Sequence, residues 1–152
     1  MRAIVAETRV FESWLDYQEA LKRAIAPLTA EQLGRRILPS LRTPGEIAEH
    51  IVFGRALHLH HTLGESAAAL VPLIAWGEPN AAPQNAAEIV RGLELTWQFI
   101  TECLQSGSPT SPLPEAEALS VQTIWGLLDH DLPHAGELSL LLGAAGLPGV
   151  EI

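Results

Sequence analysis

Apolar residues in this chain recur every three or four positions along four long stretches, and the period-two alternation of a half-buried strand is nearly absent. That periodicity predicts amphipathic helices and leaves little material for a sheet. The first stretch runs roughly from Arg9 to Ala26, with Val10 or Phe11, Trp14, Tyr17 or Gln18, Leu21 and Ile25 on one face, and Pro27 ends it. Thr29 followed by Gln32 reads as a capping box for a short extra turn. The second stretch has the clearest start. Thr43-Pro44-Gly45-Glu46 supplies an N-cap threonine, a proline at the first helical position and a glutamate that reaches back. It carries Ile47, His50, Ile51, Gly54, Leu57 and His58 to about Leu63, with Gly64 as its stop.

Residues 65–84 form a long connection rich in alanine and proline, with room for a turn of helix around Ala67 to Leu70. A crossover of this length is unusual in a compact domain and is often functional. The third stretch opens at Asn85 with Glu88 three residues on, places Ile89, Leu93, Trp97, Ile100 and Leu104 inward, and ends at Gly107 and Pro109. After a polar, proline-rich loop the fourth begins near Ser120. It carries Val121, Ile124, Trp125, Leu128, His130, His134, Leu138 and Leu141, and closes at Gly143 and Gly146. Four amphipathic helices without strands predict an all-α four-helix bundle. At 152 residues the chain fits one domain, residues 1–152, long enough to bury a core without disulfides.

Composition narrows the function classes. The formal net charge is −9, from nine Lys plus Arg against eighteen Asp plus Glu, and the basic residues gather only at Arg35, Arg36 and Arg42. Nucleic-acid binders and proteins that adsorb to anionic membranes carry basic patches, so neither partner is expected. One cysteine, Cys103, precludes an internal disulfide and fits a cytoplasmic location; its place on an apolar stripe marks it as a core residue and not a nucleophile. The amino terminus lacks the continuous apolar segment of a signal peptide, and no apolar run approaches a membrane span. Nucleophile-elbow, P-loop and dinucleotide fingerprints are absent.

The histidines carry the chemistry. His130 and His134 stand four apart, which separates them by about 40° around a helix and roughly 6 Å along it, so both imidazoles can address one ion. His50, among the inward positions Ile47, Ile51 and Leu57, is the best third ligand from another helix. Three neutral imidazoles suit zinc, nickel, iron or copper and leave positions open for water or substrate. The plain alternative is that these are ordinary hydrogen-bonded histidines. Glu137 shares the face of His130 and His134. It can orient a ligand ring, act as a catalytic base, or be a surface acid. Asp129 and Asp131 turn away by about 100° each and are expected in solvent. His58, His60 and His61 read as a solvated helix end, since His61 lies about 16 Å along the helix from His50. Pro133 sits between the two downstream ligands and costs a helix ~3 kcal/mol or more, so a kink or a fresh start after Asp131 is expected there.

Thr43-Pro44-Gly45-Glu46-Ile47-Ala48-Glu49-His50, then Leu128-Asp129-His130-Asp131-Leu132-Pro133-His134-Ala135-Gly136-Glu137, resembles the DinB/YfiT-like superfamily of metal-binding bundles, as does the trailing Leu141 to Pro148. The resemblance covers nearly the whole chain. It implies an up-down-down-up bundle, often dimeric, with a divalent ion such as zinc or nickel held by His50, His130 and His134. Pro133 departs from the bulky residue usual between the last two histidines. The resemblance further implies a small-molecule substrate. Characterised members of the superfamily include S-transferases and isomerases that use low-molecular-weight thiols such as bacillithiol or mycothiol. The expected activity is therefore metal-dependent thiol transfer or metal-assisted hydrolysis. The competing readings are a non-catalytic metal- or ligand-binding module acting as a dimer, and a metal-free dimeric scaffold.

Overall fold

The computed structural model describes the backbone of residues 2–104 and 121–151, and the side chains of 12–104 and 123–151. Those residues are all-helical, with no strand among them. The chain order is α1 (Arg2–Ile25), α2 (Ala30–Leu33), α3 (Pro44–Leu63), α4 (Val71–Ile74), α5 (Ala86–Leu104) and α6 (Val121–Ala144). The expected end of the third helix at Gly107 and Pro109, and the loop that follows it, lie outside the described residues.

The caps form as the sequence dictates. Thr43 Oγ1 accepts from the Glu46 amide at 3.1 Å while the Glu46 carboxylate accepts from the Thr43 amide at 2.6 Å, fixing where α3 begins. The same reciprocal box closes α2 between Thr29 and Gln32. Asn85 Oδ1 accepts from the Glu88 amide at 2.9 Å at the start of α5. At the other end of α3, Gly64 takes φ +57°, a conformation that costs glycine little, and its amide donates to the His60 carbonyl.

The core follows the apolar stripes. Leu21 and Ile25 of α1, Ile47, Ile51 and Leu59 of α3, Ile89, Leu93 and Ile100 of α5, and Leu127 and Leu138 of α6 are fully buried. Each contributes about 1.5–3 kcal/mol relative to an exposed side chain. Helix α3 is central, packing most extensively against α6 and then α5, and α1 packs on α5. Cys103 is buried in the same core.

Three expectations are revised. The first helix begins at Arg2 and not near Arg9. The connection after α3 is largely helical: a 3-10 segment over Gly64–Leu70, then α4, then a 3-10 turn over Ala75–Gly77. It buries Ala67, Leu70 and Leu73 against α3, so its alanines and leucines serve packing. At Pro133 the fresh start after Asp131 does not occur, and α6 runs through the proline as one element. The amide that proline lacks would have bonded the Asp129 carbonyl, and both residues lie on the exposed face. Trp125, Leu132 and Leu140 also point outward from α6. No helix among the described residues is long and apolar enough to cross a membrane.

Candidate metal centre

Helices α3 and α6 form the most extensive interhelical contact in the structure, and the three histidines meet across it. His50 comes from the second turn of α3, whose register is fixed by the Thr43 box. His130 and His134 come from consecutive turns of α6. Their ring centroids lie 5.0 Å (His50–His130), 4.6 Å (His50–His134) and 4.9 Å (His130–His134) apart. One ligand nitrogen from each falls within 4.8 Å of the others. The three are half-buried, so each keeps part of its surface in solvent.

The donor set fits a divalent ion. Bonds of about 2.0–2.1 Å in a tetrahedral array place ligand nitrogens roughly 3.3–3.4 Å apart. His50 Nε2 and His130 Nε2 stand 3.3 Å apart. Burial, then the neighbouring His134, His130 and Arg42, push the His50 imidazole down to about 4 from its ordinary 6.5, with Glu137 opposing. His50 is therefore neutral near pH 7 and has a lone pair to offer. These three histidines could hold a metal ion.

A glycine makes the approach possible. Gly54 lies four residues after His50, on the same face of α3. A Cβ there would sit 2.1 Å from His130 Cε1 and 2.4 Å from its Nε2. The His130 ring thus rests directly on the α3 backbone. The spacing from His50 was the available signal for this role.

Glu137 lies beside His134, its Oε2 3.4 Å from Nδ1. It also pairs with Arg42, from the segment before α3, at 2.7 Å. Arg42 Nη2 in turn approaches His134 Nδ1 at 3.1 Å. Arginine only donates and a carboxylate only accepts, so these neighbours ask for opposite tautomers of His134. Donation from Nδ1–H to Glu137 leaves the Nε2 lone pair free for an ion; acceptance from Arg42 puts the proton on Nε2. Burial raises the Glu137 carboxyl, but Arg42 and His134 outweigh it and bring the group below its usual range. A carboxylate so paired is better suited to orienting an imidazole than to removing protons. Replacing Glu137 by Gln should weaken divalent-ion affinity by roughly 10-fold, read by competition titration. Unchanged affinity would return Glu137 to the surface acids.

Asp131 is not solvated. It is fully buried, with Oδ2 accepting from Arg55 Nε at 2.6 Å, and Arg55 is itself fully buried. The 100° turn from His130 leads the carboxylate to Arg55 of α3 and not to water, and Tyr17 Oη of α1 donates to the Asp131 backbone carbonyl at 3.3 Å. Asp129 is exposed, as its position predicts. The other histidines stay apart from the centre. His58 is half-buried and packs close to Gly126, while His61 is exposed. Neither joins another metal cluster among the described residues. Of the arginines grouped in the sequence, Arg36 pairs with Glu46 at 2.7 Å and Arg42 with Glu137, while Arg35 is exposed. Glu49, next to His50, accepts from the Gln84 amide at 2.8 Å and ties the end of the crossover to α3. No family model, curated protein or solved structure matches this chain.

Proposed function

We propose that the chain is a DinB-like, up-down-down-up four-helix bundle that binds one divalent metal ion through His50, His130 and His134 and uses it in catalysis. The observation that carries this reading is the 3.3 Å approach of His50 Nε2 and His130 Nε2 across two helices, with His134 beside them. Three imidazoles gathered this closely, with His50 held neutral by its surroundings, offer lone pairs that one ion can share; a direct hydrogen bond between His50 and His130 is the competing reading. The all-nitrogen donor set suits zinc, nickel, iron or copper, and the resemblance to the DinB-like superfamily favours zinc or nickel, with iron next.

Bound there, the ion would supply a Lewis acid that favours the ionised form of a thiol or water beside it. The chain's own residues do the rest. His50, His130 and His134, each half-buried, would hold the ion, and donation from His134 Nδ1–H to Glu137 would leave Nε2 free for it, in competition with the contact from Arg42. The reaction class proposed first is thiol transfer, in which the sulfur of a low-molecular-weight thiol bonds to an electrophilic carbon while the thiol proton and a leaving group depart. Metal-assisted hydrolysis is the nearer alternative. A homodimer in the cytoplasm is the expected setting.

Metal-loaded protein should conjugate thiols with a panel of electrophiles, or hydrolyse a panel of esters and amides, faster than a His134→Ala variant. Equal rates in both panels would refute the enzyme reading and leave a binding module.

A further inference from the structure

The buried Arg55–Asp131 pair is not part of the three-histidine set, yet it reaches it. His130 Nε2 faces His50, so Nδ1 is the ring nitrogen on the far side. That Nδ1 lies 3.4 Å from Asp131 Oδ1. The other oxygen of the same carboxylate is taken by Arg55 Nε at 2.6 Å. A carboxylate gripped by a guanidinium only accepts, so the His130 nitrogen beside it must be the one that carries hydrogen.

We propose that Asp131 and Arg55 are positioning residues for the metal centre. Asp131 accepts the Nδ1–H of His130 and thereby fixes the tautomer that turns the Nε2 lone pair toward His50 and His134; Arg55 holds Asp131 in place. The inference rests on the metal-binding reading above. It assigns a task to two charges that the three-histidine set does not use.

The surroundings of Arg55 support that task. Its Nη1 donates to Gln18 Oε1 at 2.7 Å, and Gln18 Nε2 donates to the Leu93 carbonyl at 3.1 Å. The Asp131 carbonyl takes the Tyr17 hydroxyl. The carboxylate that faces His130 is thus held directly by Arg55 of α3, and the Asp131 backbone by Tyr17 of α1, so the residue has little freedom to swing. Opposite it, Gly54 lets the same ring lie on the α3 backbone. His130 is held from both sides, which is what a metal ligand needs to keep its geometry. Stability alone is a weak reason for such a pair, because well-packed apolar side chains in place of buried ions are often neutral or better. The Arg55 Nη2 atom, buried and without a hydrogen-bond partner among the described residues, adds to that cost.

The test compares zinc affinity, by competition with a chromophoric chelator, with the visible spectrum of the cobalt-substituted full chain. In the paired exchange Arg55→Met with Asp131→Leu, zinc affinity should fall between about 10- and 100-fold and the cobalt bands should shift. If that chain does not fold, Asp131→Asn, which weakens the acceptor at constant shape, should lose roughly 10-fold. Gln18→Leu provides the contrast. It strips a partner from Arg55 and should lower the thermal midpoint, yet leave zinc affinity within about twofold, because Asp131 stays anchored. Affinity and spectrum unchanged in the folded paired exchange, or an equal loss in Gln18→Leu, would overturn the positioning role alone. No zinc binding by the unaltered chain would overturn the metal reading itself.

Discussion

Gly54→Ala should abolish most divalent-metal binding while leaving the helix intact. The added methyl would stand 2.1 Å from His130 Cε1, well inside any tolerated contact. The imidazole is a rigid ring held on its far side by Asp131, so it cannot yield by bending. It must rotate out of its place and take Nε2 away from His50. A loss of roughly 100-fold in zinc or nickel affinity is expected, at the upper end of what misplaced ligand partners cause. Alanine is intrinsically better than glycine in a helix interior by about 1 kcal/mol, so helicity by circular dichroism should not fall. An effect of opposite sign on helix and metal separates this from general damage. Retained affinity would mean that His130 does not ligate through the nitrogen that faces α3.

Arg55→Ala should be among the most destabilising single changes in the described core. Both partners of the pair are fully buried, and removing one leaves the Asp131 carboxylate without its counter-charge. Breaking such a pair costs about 3–5 kcal/mol. For a chain of this length that corresponds to a fall of about 10 °C in the thermal midpoint. Gln18 Oε1 loses its donor in the same variant, so the damage spreads to α1. Chemical denaturation of the two proteins checks the figure. A loss below about 1 kcal/mol would mean that water reaches the pair and screens it.

Much of this was legible in the sequence because local rules and the global packing agree. The Thr43 and Thr29 boxes form as written, and Trp14, Leu21, Ile25, Ile89, Leu93 and Ile100 lie on the buried faces that their spacing predicts. The convergence of His50 with His130 and His134 was readable from the four-residue spacing in α6 and from the apolar neighbours of His50.

What escaped were the polar residues that face inward. Read on α6 alone, the 100° turn from His130 puts Asp131 in water, whereas in the fold Arg55 of α3 takes its carboxylate and Tyr17 of α1 its backbone carbonyl. Arg55 had a signal of its own. It falls in the row Ile47, Ile51, Arg55, Leu59, each four after the last, and every member is fully buried. A charge in that row predicts a buried partner of opposite sign, and Asp131 is that partner. The packed crossover over residues 64–77 was harder to foresee, since short 3-10 turns carry no long periodicity.

The most direct measurement is the metal content of untagged protein by elemental analysis, beside His50→Ala and His134→Ala. Near-stoichiometric divalent metal in the unaltered chain, lost in both variants, is the predicted result. A chain that carries no metal and takes up neither added zinc nor added nickel would contradict the three-histidine centre and the function built on it.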